Sequence, residues 1–132
     1  MASEEKTVEL KNLHNKKLGE KGEIAAKKYL ENKGYEILDT NWTCKLGEID
    51  IVAKDRDSLV FVEVKTRSNL KTGLPEDAVD AKKRKKYECL AAMYIKDTDF
   101  VNIAVRFDVV GILVINSTRA LLRHHVNAFG VG

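Results

Sequence analysis

The chain has 132 residues, the size of one domain with room for a single core that needs no staples. Hydrophobic residues make up 44% and charged residues 33%, and the lone proline argues against a long disordered linker. The formal net charge of +3 permits an anionic partner without requiring one, and no apolar run approaches the roughly 18 residues of a membrane-spanning helix.

Residues 1–17, MASEEKTVELKNLHNKK, lack the apolar stretch of a signal peptide. They read as a flexible or loosely helical leader before a single domain over 18–132. Leu18–Asn32 is expected to be a helix, with Ala25/Tyr29 and Ala26/Leu30 spaced four apart and Gly34 as its stop. YEILDTNW (Tyr35–Trp42) reads as a strand. In GEIDIVAKD (Gly47–Asp55), Ile49, Ile51 and Ala53 alternate against Glu48, Asp50 and Val52. LVFVEVKTR (Leu59–Arg67), rich in β-branched residues, is the strongest strand signal in the chain. Residues 68–75 read as a loop, Glu76–Lys96 as a long helix, and Val105–Ile115 and Ala120–Val126 as two final strands. The order α-β-β-β-α-β-β implies an α/β fold. Its central mixed five-stranded sheet has a helix on each side and a parallel crossover around the second helix.

The turn Asp55-Arg56-Asp57-Ser58 sets a register. If it is centred between Arg56 and Asp57, Asp55 pairs with Ser58, and counting back along both strands brings Asp50 opposite Glu63. Directly opposed residues have Cβ atoms about 4.5–5.5 Å apart. Two carboxylates that close repel, and the repulsion is relieved by water, by protonation of one of them or by a bound cation. By period two, Glu63, Lys65 and Arg67 share the face of Leu59 and Phe61, while Val60, Val62 and Val64 occupy the other. Two carboxylates and a lysine on one strand pair suit metal-assisted phosphodiester hydrolysis. The carboxylates hold a hard cation, and the lysine orients water or offsets developing charge. A solvated charged strand would carry the same residues.

Four segments, LGEKGEIAAKKYLENKGYEIL, GEIDIVA, FVEVKTR and RFDVV, resemble the bacterial YraN-type family of the restriction-endonuclease-like superfamily. The likeness runs from about Leu18 to Phe129 and is strengthened by the closing HHVNAF. The superfamily signature is a helix acid, then an Asp, then (D/E)-x-K on the next strand. Asp50 and Glu63-Val64-Lys65 match the last two parts; Ile49 stands where a proline often precedes the Asp. The resemblance implies a restriction-endonuclease-like fold. It also implies Mg2+, with Mn2+ as a substitute, held by Asp50, Glu63 and Glu23, and Lys65 assisting the attacking water. Glu23, at i with Ala26 at i+3 and Leu30 at i+7, should point towards the sheet. Glu20 is its competitor, with a first-turn role at the helix dipole as the alternative.

Lys82, Lys83, Arg84, Lys85 and Lys86 wrap their helix rather than stripe it. Lys83 shares a stripe with Val79, Leu90 and Tyr94, so it either snorkels or meets a negative group. Lys83, Lys86 and Arg67 are the candidate contacts for nucleic acid, with a solvated helix face or a surface arginine as the alternatives. Glu48 is either a supporting group or a surface acid. Asp108 is expected to be partly buried and paired with Arg106 or another base, outside the catalytic set. His124 and His125 should point to opposite faces and so share no metal. Cys44 and Cys89, far apart and without metal-ligand spacing, read as reduced thiols of a cytoplasmic protein.

The leading reading is a Mg2+-dependent endonuclease acting on DNA phosphodiester bonds. By analogy it would be structure-selective and homodimeric, with no membrane partner. The alternatives are a nucleic-acid-binding module of the same fold that cleaves little or nothing, and a scaffold whose acidic pair is only a surface feature.

Overall fold

The structure, a computed structural model, describes residues 2–71, 73–78 and 81–128. In chain order the elements are β1 (Ala2–Glu9), α1 (Leu18–Asn32), β2 (Glu36–Cys44), β3 (Gly47–Asp55), β4 (Ser58–Arg67), a 3-10 turn (Pro75–Ala78), α2 (Ala81–Lys96), β5 (Ala104–Val114) and β6 (Arg119–Val126). The strands form one six-stranded sheet in the order β1-β6-β5-β4-β3-β2. β4 and β5 run parallel and every other pair is antiparallel, so the sheet is mixed, as the sequence predicts.

The sheet has one strand more than expected. Ser3 to Glu9, assigned from sequence to a flexible leader, belong to β1 and pair with β6, from Ser3 opposite His125 to Glu9 opposite Arg119. The run SEEKTVE has no apolar alternation to betray a strand. Its order comes from backbone pairing and from Leu10, which is buried and whose amide donates to the Thr118 carbonyl at 2.8 Å. The long helix expected over Glu76–Lys96 is likewise divided. Glu76 sits in the 3-10 turn, and α2 begins at Ala81. Val79, assigned from sequence to the Lys83 stripe, lies outside the described residues.

The two helices cover opposite faces. Under α1, Ala26 and Leu30 pack on Ile51, Val60, Val62, Val110, Ile112 and Leu122. Under α2, Leu90, Ala91 and Tyr94 pack on Ile49, Val52, Leu59 and Phe61. Residues of β4 alternate between the two cores, so this strand is sealed on both sides and reads as an unbroken apolar run as far as Glu63.

Polar groups tie the α1 side together. Asp108 is buried and takes Arg106 Nε at 2.9 Å and Nη2 at 3.0 Å, the Asn127 amide at 3.0 Å and His124 Nε2 at 2.7 Å. Arg106 also donates to Asp55 at 2.9 Å and to the Tyr35 hydroxyl at 2.7 Å. His124 meets the Tyr29 hydroxyl at 3.1 Å, which in turn donates to Glu4 of β1 at 3.0 Å. Burial opposes charge on Asp108, yet its hydrogen bonds from His124, Arg106 and Asn127 hold it below the ordinary carboxylate range. Asp108→Ala would strand the Arg106 and His124 side chains. It should cost about 3–5 kcal/mol of stability, the usual penalty for breaking a buried ion pair on one side. Urea denaturation checks this; a loss below about 1 kcal/mol would mean that the network holds little of the fold together.

Candidate active site

β3 and β4 adopt the register set by the turn, with Asp55 opposite Ser58, Ala53 opposite Val60 and Ile51 opposite Val62. There the ladder ends, so Asp50 and Glu63, expected from the turn as a directly opposed pair, form no ladder pair. The next residue, Asp50, turns its carboxylate onto the neighbouring backbone, where Oδ2 accepts the Val64 amide at 2.8 Å. On the other edge of β3 a partner is also skipped. Thr40 pairs with Ile51 and Trp42 with Ile49, while Asn41 between them has a left-handed φ of 53°. β3 is thus kinked at Asp50. Strict alternation, expected over Gly47–Asp55, breaks here: Ile51 and Ala53 lie in the α1 core, whereas Ile49 joins Val52 in the α2 core. A side-chain carboxylate has replaced a backbone pair, with the local twist that bulges produce.

Glu63 follows Leu59 and Phe61 along β4 and is only 7% exposed. A carboxylate so enclosed needs partners. Its Oε1 has two, Lys65 Nζ and Lys83 Nζ, each at 3.2 Å. Lys65 comes from the same strand and Lys83 from the first turn of α2. Burial opposes both lysine charges. For Lys65 the adjacent Lys83 nitrogen, easily kept neutral there, and the Glu63 and Asp50 carboxylates more than compensate, and its pKa rises. Lys83, pressed against the Lys65 ammonium, is left with a lowered pKa.

Among the described residues Asp50 forms no ion pair, and only the charge of nearby Lys65 acts in its favour besides the Val64 amide. Burial first, and the Glu63 charge second, push its pKa from an ordinary 3.8 up to about 7; the Val64 amide pulls the other way, and Glu23 and Glu48 add to the rise. Glu23 of α1 is half-buried beside this group. Its pKa too is raised, by burial and then by Glu48, with the Asn41 hydrogen bond opposing and Glu20 and Glu63 contributing further. Gly22 explains how α1 comes so near. A Cβ on Gly22 would overlap Thr66 Oγ1 of β4, so only glycine permits this approach. Lys86 arches over Gly47 at the β2–β3 turn, where a Cβ would lie 2.9 Å from its Cε.

Of the residues singled out from sequence, Glu23, Asp50, Glu63, Lys65 and Lys83 therefore share one neighbourhood, and Lys86 borders it. Arg67 lies on the Glu63–Lys65 face two residues further along. Glu20 is exposed and acts on Glu23 only through its charge. Arg84 and Lys85 are exposed. His124 and His125 do point to opposite faces, His124 to Asp108 and His125 to Glu76 at 2.8 Å. Asn41, the Gly22–Thr66 contact and Glu76 were not singled out. Gly22 inside a helical run is the one signal that could have been read.

Among the described residues, no three His, Cys, Asp or Glu side chains converge closely enough to cage a metal ion. No helix among them is long and apolar enough to cross a membrane.

Residues 22–112 match the model of the uncharacterised protein family UPF0102. A UPF0102 protein of Clostridioides difficile is 44% identical over 117 residues, covering 89% of this chain and all of that protein. The chain belongs to this family. Similar UPF0102 proteins occur in Caldanaerobacter subterraneus, 40% identical and covering 91% of this chain and the whole relative, and in Geobacter sulfurreducens, 40% identical and covering 88% and 91%. The YraN-type resemblance read from GEID, FVEVKTR and RFDVV is a resemblance to this same family.

The elevated Asp50 pKa has a thermodynamic signature. The folded state holds a proton on Asp50 that the unfolded chain has already released, so between about pH 4 and 7 this group makes stability fall as pH rises. Above pH 7 the full penalty remains. Asp50→Asn keeps an acceptor for the Val64 amide and removes the charge. The variant should therefore gain on wild type through that window and hold a constant advantage above it. Thermal unfolding of both proteins from pH 4 to 9 measures the difference, and a gap independent of pH would refute the assignment.

Proposed function

We propose that this protein is a Mg2+-dependent nuclease of the restriction-endonuclease-like type, hydrolysing phosphodiester bonds in DNA. The observation that carries the reading is the juxtaposition of Asp50, raised to about 7 by burial and by Glu63, with the buried Glu63–Lys65 pair on the adjacent strand. A carboxylate kept from ionising at neutral pH by a second carboxylate is a position that a cation would stabilise. The donors are hard oxygens, which suit Mg2+ or Mn2+. Two protein carboxylates are a usual complement for Mg2+, which keeps waters and takes substrate phosphate for the rest of its shell.

Asp50 and Glu63 would hold the cation, and Glu23 would support it from α1. When bound, such a cation supplies Lewis acidity to a phosphate and eases deprotonation of a water. The chain itself supplies position and charge. The Val64 amide fixes Asp50 through Oδ2 and leaves the carboxylate within the charge influence of Glu63. Lys65, anchored on Glu63, holds an ammonium where negative charge develops on the phosphate or where water must be aimed. Lys83 shares the same carboxylate oxygen and is the more exposed ammonium, 36% against 29%. Its ammonium would be displaced from that oxygen by a cation at Glu63 and turned towards a phosphate. Arg67 and Lys86 extend the positive rim.

A second reading, a nucleic-acid-binding module of the same fold without cleavage, is favoured by one observation. Glu63 is already compensated by two ammoniums, and a fold can keep such a cluster for rigidity alone. Incubation of branched and duplex DNA with Mg2+ or Mn2+ separates the two. The nuclease reading expects cleavage that Lys65→Ala reduces about 10²–10³-fold, the usual loss for one charge-stabilising donor, with the fold intact by circular dichroism. Calorimetric titration with Mn2+ should give binding to wild type that weakens in Asp50→Asn and strengthens as pH rises through 7, since proton and cation compete for Asp50. Folded wild type that takes up no Mn2+ would leave only the binding-module reading.

A further inference from the structure

The sheet face that carries Glu63, Lys65 and Arg67 does not end at β4. In the parallel ladder Glu63 lies beside Val109, Lys65 beside Gly111 and Arg67 beside Leu113. The next ladder continues the same face, with Gly111 beside Arg123 and Leu113 beside Leu121. α2 packs over β3 and the first half of β4, with Ile49, Val52, Leu59 and Phe61 in its core. Beyond it lies a cleft of about 150 Å³. Leu113 and Leu121 line its sheet side, and Leu70, Leu74 and Pro75 of the segment leaving β4 line the other. Gly111, Glu76 and Arg123 close its polar end.

That polar end is built rather than incidental. Glu76 is held from one side through Oε2, by His125 Nε2 at 2.8 Å and by Arg123 at 4.0 Å. Its other oxygen, Oε1, rests over Gly111, and a Cβ there would lie 2.6 Å away. With glycine at this position the carboxylate rests directly against the strand. The result is a recess with leucine and proline walls, one carboxylate and the Arg123 guanidinium, whose Nε donates to Glu5 Oε2 at 2.6 Å while its Nη1 lies towards Glu76. Neighbouring strands are about 4.8 Å apart, so it opens a single strand spacing from Lys65 and Arg67.

We propose that this cleft receives one unstacked nucleobase of the nucleic acid strand whose phosphates lie along Lys65 and Arg67. The proposal rests on the nuclease reading and narrows its substrate to DNA with an accessible unpaired base, at a single-stranded stretch or a branch. A base presents two apolar faces and a polar edge, which is what paired apolar walls and a polar end accommodate. Glu76 would accept from an exocyclic amino group, and Arg123 would donate to a ring nitrogen or carbonyl. The flanking cations supply the sequence-independent grip on the backbone.

Fluorescence anisotropy with the full chain, in the Asp50→Asn background that removes a proposed cation ligand, tests this. The probes are a labelled single-stranded oligonucleotide, the same strand with one abasic site stepped through successive positions, and its fully paired duplex. One abasic position should weaken binding about tenfold, the lower range of what one buried base contributes. Leu121→Phe, which places a ring in the cleft, should erase that difference while leaving the phosphate-driven binding in place. A 2-aminopurine at the sensitive position should brighten on binding to the unfilled cleft and not to Leu121→Phe. If the single strand binds but neither the abasic series nor the filled cleft changes affinity, the cleft proposal is overturned and the nuclease reading stands. If no DNA is bound at all, both fall. If Leu121→Phe instead abolishes self-association in sedimentation, with no effect on DNA, the cleft is a contact between copies and the proposal is likewise overturned.

Discussion

The hydrogen bond from the Val64 amide to the Asp50 carboxylate is the constraint on which the site depends. It ends the β3–β4 ladder at Ile51 and Val62, kinks β3 and swings Ile49 into the α2 core. It also spends one carboxylate oxygen on structure and leaves the group facing Glu63. A backbone amide held by a charged acceptor is stronger than a neutral pair, yet here burial and a like charge outweigh it and the Asp50 pKa rises. The strand is bent to place an acid where an acid is electrostatically disfavoured. A fold does not need that arrangement for its own stability.

Around this point the two helices have different tasks. α1 brings Glu23 close because Gly22 lets it settle against Thr66. α2 brings Lys83 to Glu63 and Lys86 to the β2–β3 turn. Negative charge thus enters from the α1 side and positive charge from the α2 side, with Glu63 the shared partner. The remaining buried ions form a separate, compensated group. Arg106, Asp108, His124 and Asp55 satisfy one another on the α1 side and reach β1 through Tyr29 and Glu4. That cluster is internally compensated, whereas Asp50, with no ion pair among the described residues, is left with a raised pKa.

α2 and the 3-10 turn cover one face over β3, β4 and the Phe107–Gly111 part of β5, and leave a cleft over Leu113 and Leu121. The Glu63–Lys65–Arg67 row runs along the boundary. That row has the acidic pair on one side and the leucine-lined cleft on the other.

Periodicity and turn chemistry were enough to specify much of this chain locally. The bounds of α1 and β3, the 55–58 turn, the β3–β4 register and the opposite facing of His124 and His125 all follow from spacing, because each depends on residues close in sequence. The pairing of Asp108 with Arg106, two residues apart, was legible for the same reason. Tertiary structure decided the rest. β1 has no apolar pattern and is ordered only by β6, more than a hundred residues away. The kink at Asp50 needs Asn41 on one neighbouring strand and Val64 on the other. Which of the basic residues on α2 matters is fixed by where Glu63 lies beneath it. Glu76 gains a partner only because β6 brings His125 beneath the 3-10 turn. The sequence determined which residues carry opposed charge on one strand pair. Only the fold decided that Asp50 would be partly enclosed beside Glu63 without an ion pair among the described residues, because burial and the distance to a lysine are properties of packing rather than of spacing.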